Sequence, residues 1–151
     1  EDPVSMTGTG TMLGTPLYMS PEQAATKRGQ IDHRTDVYSL GATLYEVLTG
    51  RPPLRGKDHQ DTLSRIVEQD PAAPRTLSPR IPRALETIVL KCLRKDPADR
   101  YGTAEALAQD LRRFVRGDPV EARAESRWER LARRAARNRL RKSMVASPGM
   151  W

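Results

Sequence analysis

Thr35-Asp36-Val37-Tyr38-Ser39-Leu40-Gly41-Ala42-Thr43-Leu44-Tyr45-Glu46-Val47-Leu48-Thr49-Gly50 is the stretch of this 151-residue chain on which the fold turns. Thr35 can cap a helix, and Asp36 sits in the first turn, where the helix dipole favours an anion. Gly50, followed by Pro52 and Pro53, ends it. Val37, Leu40, Leu44, Val47 and Leu48 supply apolar surface, Tyr38, Ala42 and Tyr45 fill other faces, and only Asp36 and Glu46 carry charge. A helix apolar nearly all round is a buried one. The pattern therefore predicts a domain organised around a central helix over Thr35 to Leu48.

Weaker helices follow it. Asp58 to Gln69 places Leu63, Ile66 and Val67 on one side. Pro82 to Leu93 opens on proline near its first turn and aligns Leu85, Ile88, Val89, Cys92 and Leu93. Thr103 to Arg116 has a capping threonine, the stripe Leu107, Leu111, Phe114 and Val115, and Gly117 as its stop. The prolines from Pro71 to Pro82 mark a long loop. Upstream, Glu1 to Gly14 reads as a Thr/Gly/Ser-rich loop, and Thr15 to Gln30 as a second irregular stretch with a short helix after Ser20. With aromatics at 5% and hydrophobic residues at 37%, a modest helical core is affordable and a large one is not. No internal repeat and no convincing strand is visible, so the fold class is mainly α.

The net charge of +7 raises nucleic acid and anionic membranes as partners, and its location decides between them. Nine Lys/Arg and three Glu fall between Glu121 and Lys142, whereas the residues before Glu121 hold seventeen basic and sixteen acidic side chains. The body is nearly neutral, which argues against nucleic-acid binding by the protein as a whole. Glu121 to Lys142 reads as a basic helix with Ala124, Trp128, Leu131 and Ala135 along one seam, and Ser143 to Trp151 as a disordered end. Cys92 is the only cysteine, which excludes a disulfide framework or a cysteine zinc site within one chain. His33 and His59 lack metal-ligand spacing. No apolar run reaches the ~18 residues of a membrane span. No signal peptide is visible and the chain starts at Glu1, which is read as a missing N-terminal part of an intracellular protein.

Two stretches imitate catalytic motifs. Gly8-Thr9-Gly10-Thr11-Met12-Leu13-Gly14 suggests a phosphate loop, but its third glycine comes one place late, no apolar strand precedes it and no Val-Ala-x-Lys strand follows. His33-Arg34-Thr35-Asp36 suggests a His-Arg-Asp catalytic loop, but it carries an extra residue, and no Asn follows at the distance needed to bind magnesium. Both readings are rejected.

A third set of residues is ordered and specific. Gly14-Thr15-Pro16-Leu17-Tyr18-Met19-Ser20-Pro21-Glu22-Gln23 is similar to the end of a protein-kinase activation segment, typically G-T-P-x-Y-M-A-P-E, with Ser20 in place of alanine. Fourteen residues after Glu22, Asp36-Val37-Tyr38-Ser39-Leu40-Gly41 matches the start of that family's central helix, and the match runs on through Pro53. Leu93-Arg94-Lys95-Asp96-Pro97-Ala98-Asp99-Arg100-Tyr101 resembles the late Asp-Pro-x-x-Arg element. The resemblance covers about Thr7 to Pro119 and is greatest to bacterial, eukaryotic-like Ser/Thr kinases of receptor type. It implies the helical C-lobe of the kinase fold, incomplete, from the activation segment onward. The expected organisation is 1–119 partial kinase domain, 120–142 basic juxtamembrane-like helix and 143–151 disordered tail.

The resemblance also assigns roles. Thr15 and Pro16 belong to the loop that receives the substrate residue after the phosphorylated one, and threonine there points to Ser/Thr substrates. Glu22 and Arg100 form a buried ion pair tying the activation segment to the late helices. Asp36 anchors the backbone of the catalytic loop. Thr7 and Thr9, with Thr11 weaker, are candidates for activation-loop phosphorylation, where a phosphate could pair with an arginine and order the loop. Taken singly, each has a plainer reading: a first-turn acid, two solvated charges, ordinary loop threonines. Their joint spacing favours the kinase reading.

Phosphoryl transfer needs a glycine-rich cover, a Lys–Glu pair, a catalytic Asp, and Asn and Asp for magnesium. In the family's order all of these precede Gly14, and none is in this chain. ATP and Mg are therefore expected in the full-length kinase and not on this segment, whose partners are protein substrates and the missing N-terminal part of the kinase. Catalysis by the chain alone is not expected. The competing functions are a catalytically inactive kinase-like binding module and contact of the basic helix with an anionic membrane or nucleic acid. The expected location is the cytoplasm, at the inner face of a membrane if the basic helix docks there.

Overall fold

The computed structural model describes residues 16–25 and 31–145. Among them there are helices and turns and no strand. After a 3-10 turn at Pro16–Tyr18 come α1 (Pro21–Ala24), α2 (Arg34–Thr49), α3 (His59–Glu68), α4 (Pro74–Leu77), α5 (Arg83–Cys92), a second 3-10 turn at Pro97–Asp99, α6 (Ala104–Arg116) and α7 (Arg127–Val145).

α2 organises the body, in contact with α4, α5 and α6. Its C-terminus is fixed by Gly50 in the left-handed region (φ 75°), whose N–H donates to the Glu46 carbonyl at 2.7 Å. Its start differs from the sequence pattern. The helix begins at Arg34, and Thr35 does not cap it: the hydroxyl donates to Glu22 Oε1 at 2.8 Å. Asp32 does the capping work instead, accepting from the Arg34 N–H at 2.8 Å and pairing with the same residue's guanidinium at 2.6 Å. Those Arg34 bonds hold the half-buried Asp32 carboxyl down at about 2.

Burial on α2 is one-sided. Val37, Tyr38, Gly41, Ala42 and Tyr45 are buried. Asp36, Leu40, Thr43 and Val47, spaced as one helical stripe, are exposed, Leu40 at 49% and Val47 at 75%. The expected all-round burial is thus not met, because the described helices all pack on one side.

Two groups of side chains form the core. Val37, Ile88, Cys92, Tyr101, Leu107 and Ala122 make one; Tyr38, Ala42, Tyr45, Val89 and Leu93 make the other. Each fully buried Val or Ile contributes about 1.5–3 kcal/mol. α2 and α5 approach closely at Gly41, where an added Cβ would lie 2.3 Å from Cys92 Cβ. Cys92 is fully buried, and burial pushes its thiol up to about 12, which keeps it protonated and inert.

The short helices follow from local chemistry. Asp58 caps α3 by accepting from the Asp61 N–H at 2.8 Å, and Thr103 caps α6 by accepting from the Ala106 N–H at 3.0 Å. α4 falls within the stretch expected to be loop, because Pro74 at its first position is already shaped for a helix. Tyr45 Oη donates to the Ala72 carbonyl at 3.0 Å, pinning that connection to α2.

The basic helix begins at Arg127, later than the expected Glu121. The cause is Asp110, fully buried on α6. Its carboxylate accepts from the Glu121 N–H at 2.6 Å and the Ala122 N–H at 2.8 Å, as well as from Tyr101 Oη at 2.6 Å and Arg113 at 3.2 Å. Those two backbone donors are held outside a helix, and Ala122 is drawn into the core. Ser143 to Val145, expected in a disordered end, close α7. Residues 146–151 lie outside the described residues.

Candidate functional site

The Pro16–Tyr18 turn packs on α2 and α3, and α1 packs on α3. Buried Pro16 opens the first turn, and the Met19 N–H returns to its carbonyl at 3.0 Å. Ser20 then starts α1 with a capping box. Its side chain accepts from the Gln23 N–H, and Gln23 Oε1 accepts from the Ser20 N–H at 3.0 Å. Three side-chain ties hold this segment to α2: Ser39 Oγ donates to the Tyr18 carbonyl at 2.9 Å, Tyr18 Oη donates to the Glu46 carboxylate, and Thr35 Oγ1 donates to Glu22 Oε1 at 2.8 Å.

The structure brings Glu22 and Arg100 together. Both are 4% exposed, and the guanidinium meets the carboxylate side-on, Nη1 to Oε1 and Nη2 to Oε2, each at 2.7 Å. The remaining Arg100 donors end on carbonyls: Nε on Arg94 at 2.8 Å, Nη1 on Arg34 at 3.0 Å and Nη2 on Lys95 at 3.2 Å. The guanidinium also lies 5.1 Å from the centre of the Tyr38 ring. Burial alone would raise the Glu22 carboxyl, but the bonds from Arg100, from its own backbone and from Thr35 outweigh it and leave it below its ordinary value. A fully satisfied, bidentate buried pair is the arrangement in which Coulomb attraction offsets desolvation.

Asp36 lies on the exposed stripe of α2, and no side-chain partner is found for it among the described residues. The stripe therefore presents an acid, two apolar side chains and a hydroxyl on one face, about 16 Å long by helix geometry. Thr7, Thr9, Thr11 and Thr15 lie outside the described residues.

Two members of the site were missed in the sequence: Thr35, whose hydroxyl completes the Glu22 shell, and Asp110, which holds Tyr101 beside Arg100. Asp110 carried a usable signal, since it falls three residues after Leu107 on the apolar stripe of α6, where a charge needs several donors.

This arrangement holds a loop. Arg100 has no N–H left for an external phosphate, and among the described residues no group of three or more His, Cys, Asp or Glu could bind a metal. No described helix is long and apolar enough to cross a membrane.

Residues 3–111 match the model of the protein kinase domain. The chain is 43% identical over 118 residues to the serine/threonine-protein kinase PknB of Mycobacterium tuberculosis, covering 78% of this chain and 18% of that protein. It is 43% identical over 121 residues to PknB of Mycobacterium leprae, covering 80% and 19%. It is 42% identical over 121 residues to the probable serine/threonine-protein kinase SCO3848 of Streptomyces coelicolor, covering 80% and 18%. The chain thus spans less than a fifth of the length of these relatives.

Proposed function

The chain belongs to the protein kinase family, and on that premise we propose that it is the substrate-binding and activation-loop segment of a Ser/Thr kinase. The whole enzyme transfers the γ-phosphate of ATP to Ser or Thr of protein substrates. ATP and Mg are cofactors of the full-length kinase, and this segment alone does not transfer phosphate.

The observation that supports this reading is the clasp of Arg100 on Glu22, which ties the Pro16–Ala24 segment to α2 and to the loop before α6. A substrate loop must hold a peptide in register with the transferred phosphate, and small displacements there cost rate steeply. Thr15 and Pro16 receive the peptide. Asp36, with the exposed Leu40 and Val47, receives the catalytic loop and the preceding helices of the C-lobe. Thr7 and Thr9 are the candidates for phosphorylation in the activation loop.

A second contact is supported by charge. The basic helix α7 reaches an anionic membrane, which would place the protein in the cytoplasm at the membrane's inner face.

The test is a graft. This chain replaces the matching segment of the mycobacterial relative, and phosphate transfer to Ser, Thr and Tyr peptides is measured. Transfer to Ser and Thr but not to Tyr, with none from the isolated chain, is the expected result. A graft that binds ATP yet phosphorylates no peptide sinks the proposal.

A further inference from the structure

We propose that α7 is mounted on the lobe by its polar face and lays its opposite seam, Trp128, Leu131 and Ala135, into the headgroup boundary of an anionic bilayer. This deepens the membrane-contact reading above and rests on it.

The helix has two faces with different fates. Glu125, just ahead of it, is shared by Arg94, just past α5, and by Arg133 of α7, all three half-buried, with side chains 14–25% exposed. Arg133 lies about 140° around the helix from Trp128, at 3.6 residues per turn. Leu131 and Ala135 fall within about 60° of Trp128 on the same scale. The seam therefore lies opposite Arg133, the one described side chain of α7 that is not exposed; Trp128 is 80% exposed, Leu131 55%, and Ala135 is exposed. Six residues before the helix, the Asp110 carboxylate grips the Glu121 and Ala122 backbone, so α7 hangs on a short leash.

Charge selects the occupant of that seam. Residues 127–145 hold eight Lys/Arg and one Glu. A second copy of α7 is disfavoured, because pairing the seams brings two such helices together. A nucleic-acid duplex would supply phosphates for the arginines but leave Trp128 and Leu131 in water. An anionic bilayer satisfies both, placing the indole and the leucine at the headgroup boundary and the guanidinium groups among lipid phosphates.

The experiment uses the full chain with Trp151→Phe, so that Trp128 is the only indole, and phosphatidylserine-containing vesicles beside pure phosphatidylcholine vesicles and a DNA duplex. Expected are binding to the anionic vesicles that weakens with salt, a blue shift of Trp128 emission on binding, and an affinity loss of about tenfold or more for Trp128→Ala with Leu131→Ala. Both side chains are exposed, so circular dichroism should show the variant folded. If the double variant binds as well as the parent, or the emission does not move, attachment is by charge alone; the seam proposal falls and membrane contact stands. No preference for anionic over neutral vesicles overturns both. Binding to the duplex that exceeds binding to vesicles and ignores the double variant also overturns the proposal.

Discussion

Arg100 closes on Glu22 across a sequence separation of 78 residues, and each of its five N–H groups ends on an acceptor. Glu22 belongs to α1, Arg100 to the loop before α6, and the acceptors beyond Glu22 are carbonyls of Arg34, Arg94 and Lys95. One side chain therefore fixes three stretches of backbone.

Breaking the pair from either side should be severe. Glu22→Gln or Arg100→Met leaves the other charge buried and is expected to destabilise the chain by about 3–5 kcal/mol. The double variant should lose less than the sum of the two. Denaturant unfolding of the four proteins of the cycle gives the coupling; additive losses would show that the pair holds nothing.

Acid should release the same contacts. Asp110, like Glu22, is held below the ordinary carboxylate value: burial would raise it, and the bonds from Tyr101, Glu121, Ala122 and Arg113 outweigh that. A depressed carboxylate adds stability that is complete above its unfolded value, about 4, and is lost as pH falls through its folded value. Stability should be nearly flat from neutral pH to about 5 and decline below about 4. Glu22→Gln should flatten that decline. An unchanged acid slope in Glu22→Gln would contradict the assignment.

Gly41 is where α2 meets α5 with no room to spare. Gly41→Ala gains about 1 kcal/mol of helix propensity, yet its Cβ would lie 2.3 Å from Cys92 Cβ, an atom that cannot swing aside. A net loss of about 1–3 kcal/mol is expected. Gly102→Ala, with nothing within 4 Å, is the control and should change stability little. Thermal unfolding of the two variants decides; equal melting temperatures would count against the close approach.

Asp110 should act as a latch for the segment before α7. Asp110→Asn keeps the shape but removes the charge that four donors share, for an expected loss of about 1–3 kcal/mol. Hydrogen exchange at the Glu121 and Ala122 amides should accelerate while the helical amides of α7 are unchanged. Unaltered protection at those two amides would remove the latch.

Much of the fold was legible because its signals are local. Asp58 and Thr103 cap their helices with the donors that lie three residues on, and Gly50 and Gly117 end theirs at positive φ. What the sequence hid depends on distant competition. Thr35 has the chemistry of a cap, but Glu22, thirteen residues earlier, accepts its hydroxyl hydrogen bond. Helix propensity in 121–126 gives way to a buried carboxylate on α6. Nothing in spacing or periodicity links Glu22 to Arg100, so the pair could be named beforehand only through the family resemblance. The open stripe of α2 was read as buried because an apolar pattern does not by itself say which face the neighbouring helices cover.

The most direct test of the central claim, that this pair holds the substrate platform, uses the graft into the mycobacterial kinase with and without Glu22→Gln. The expected result is ATP binding unchanged and peptide phosphorylation reduced on the order of tenfold or more. Peptide phosphorylation at the parent rate, in a graft whose pair is broken, would contradict the claim.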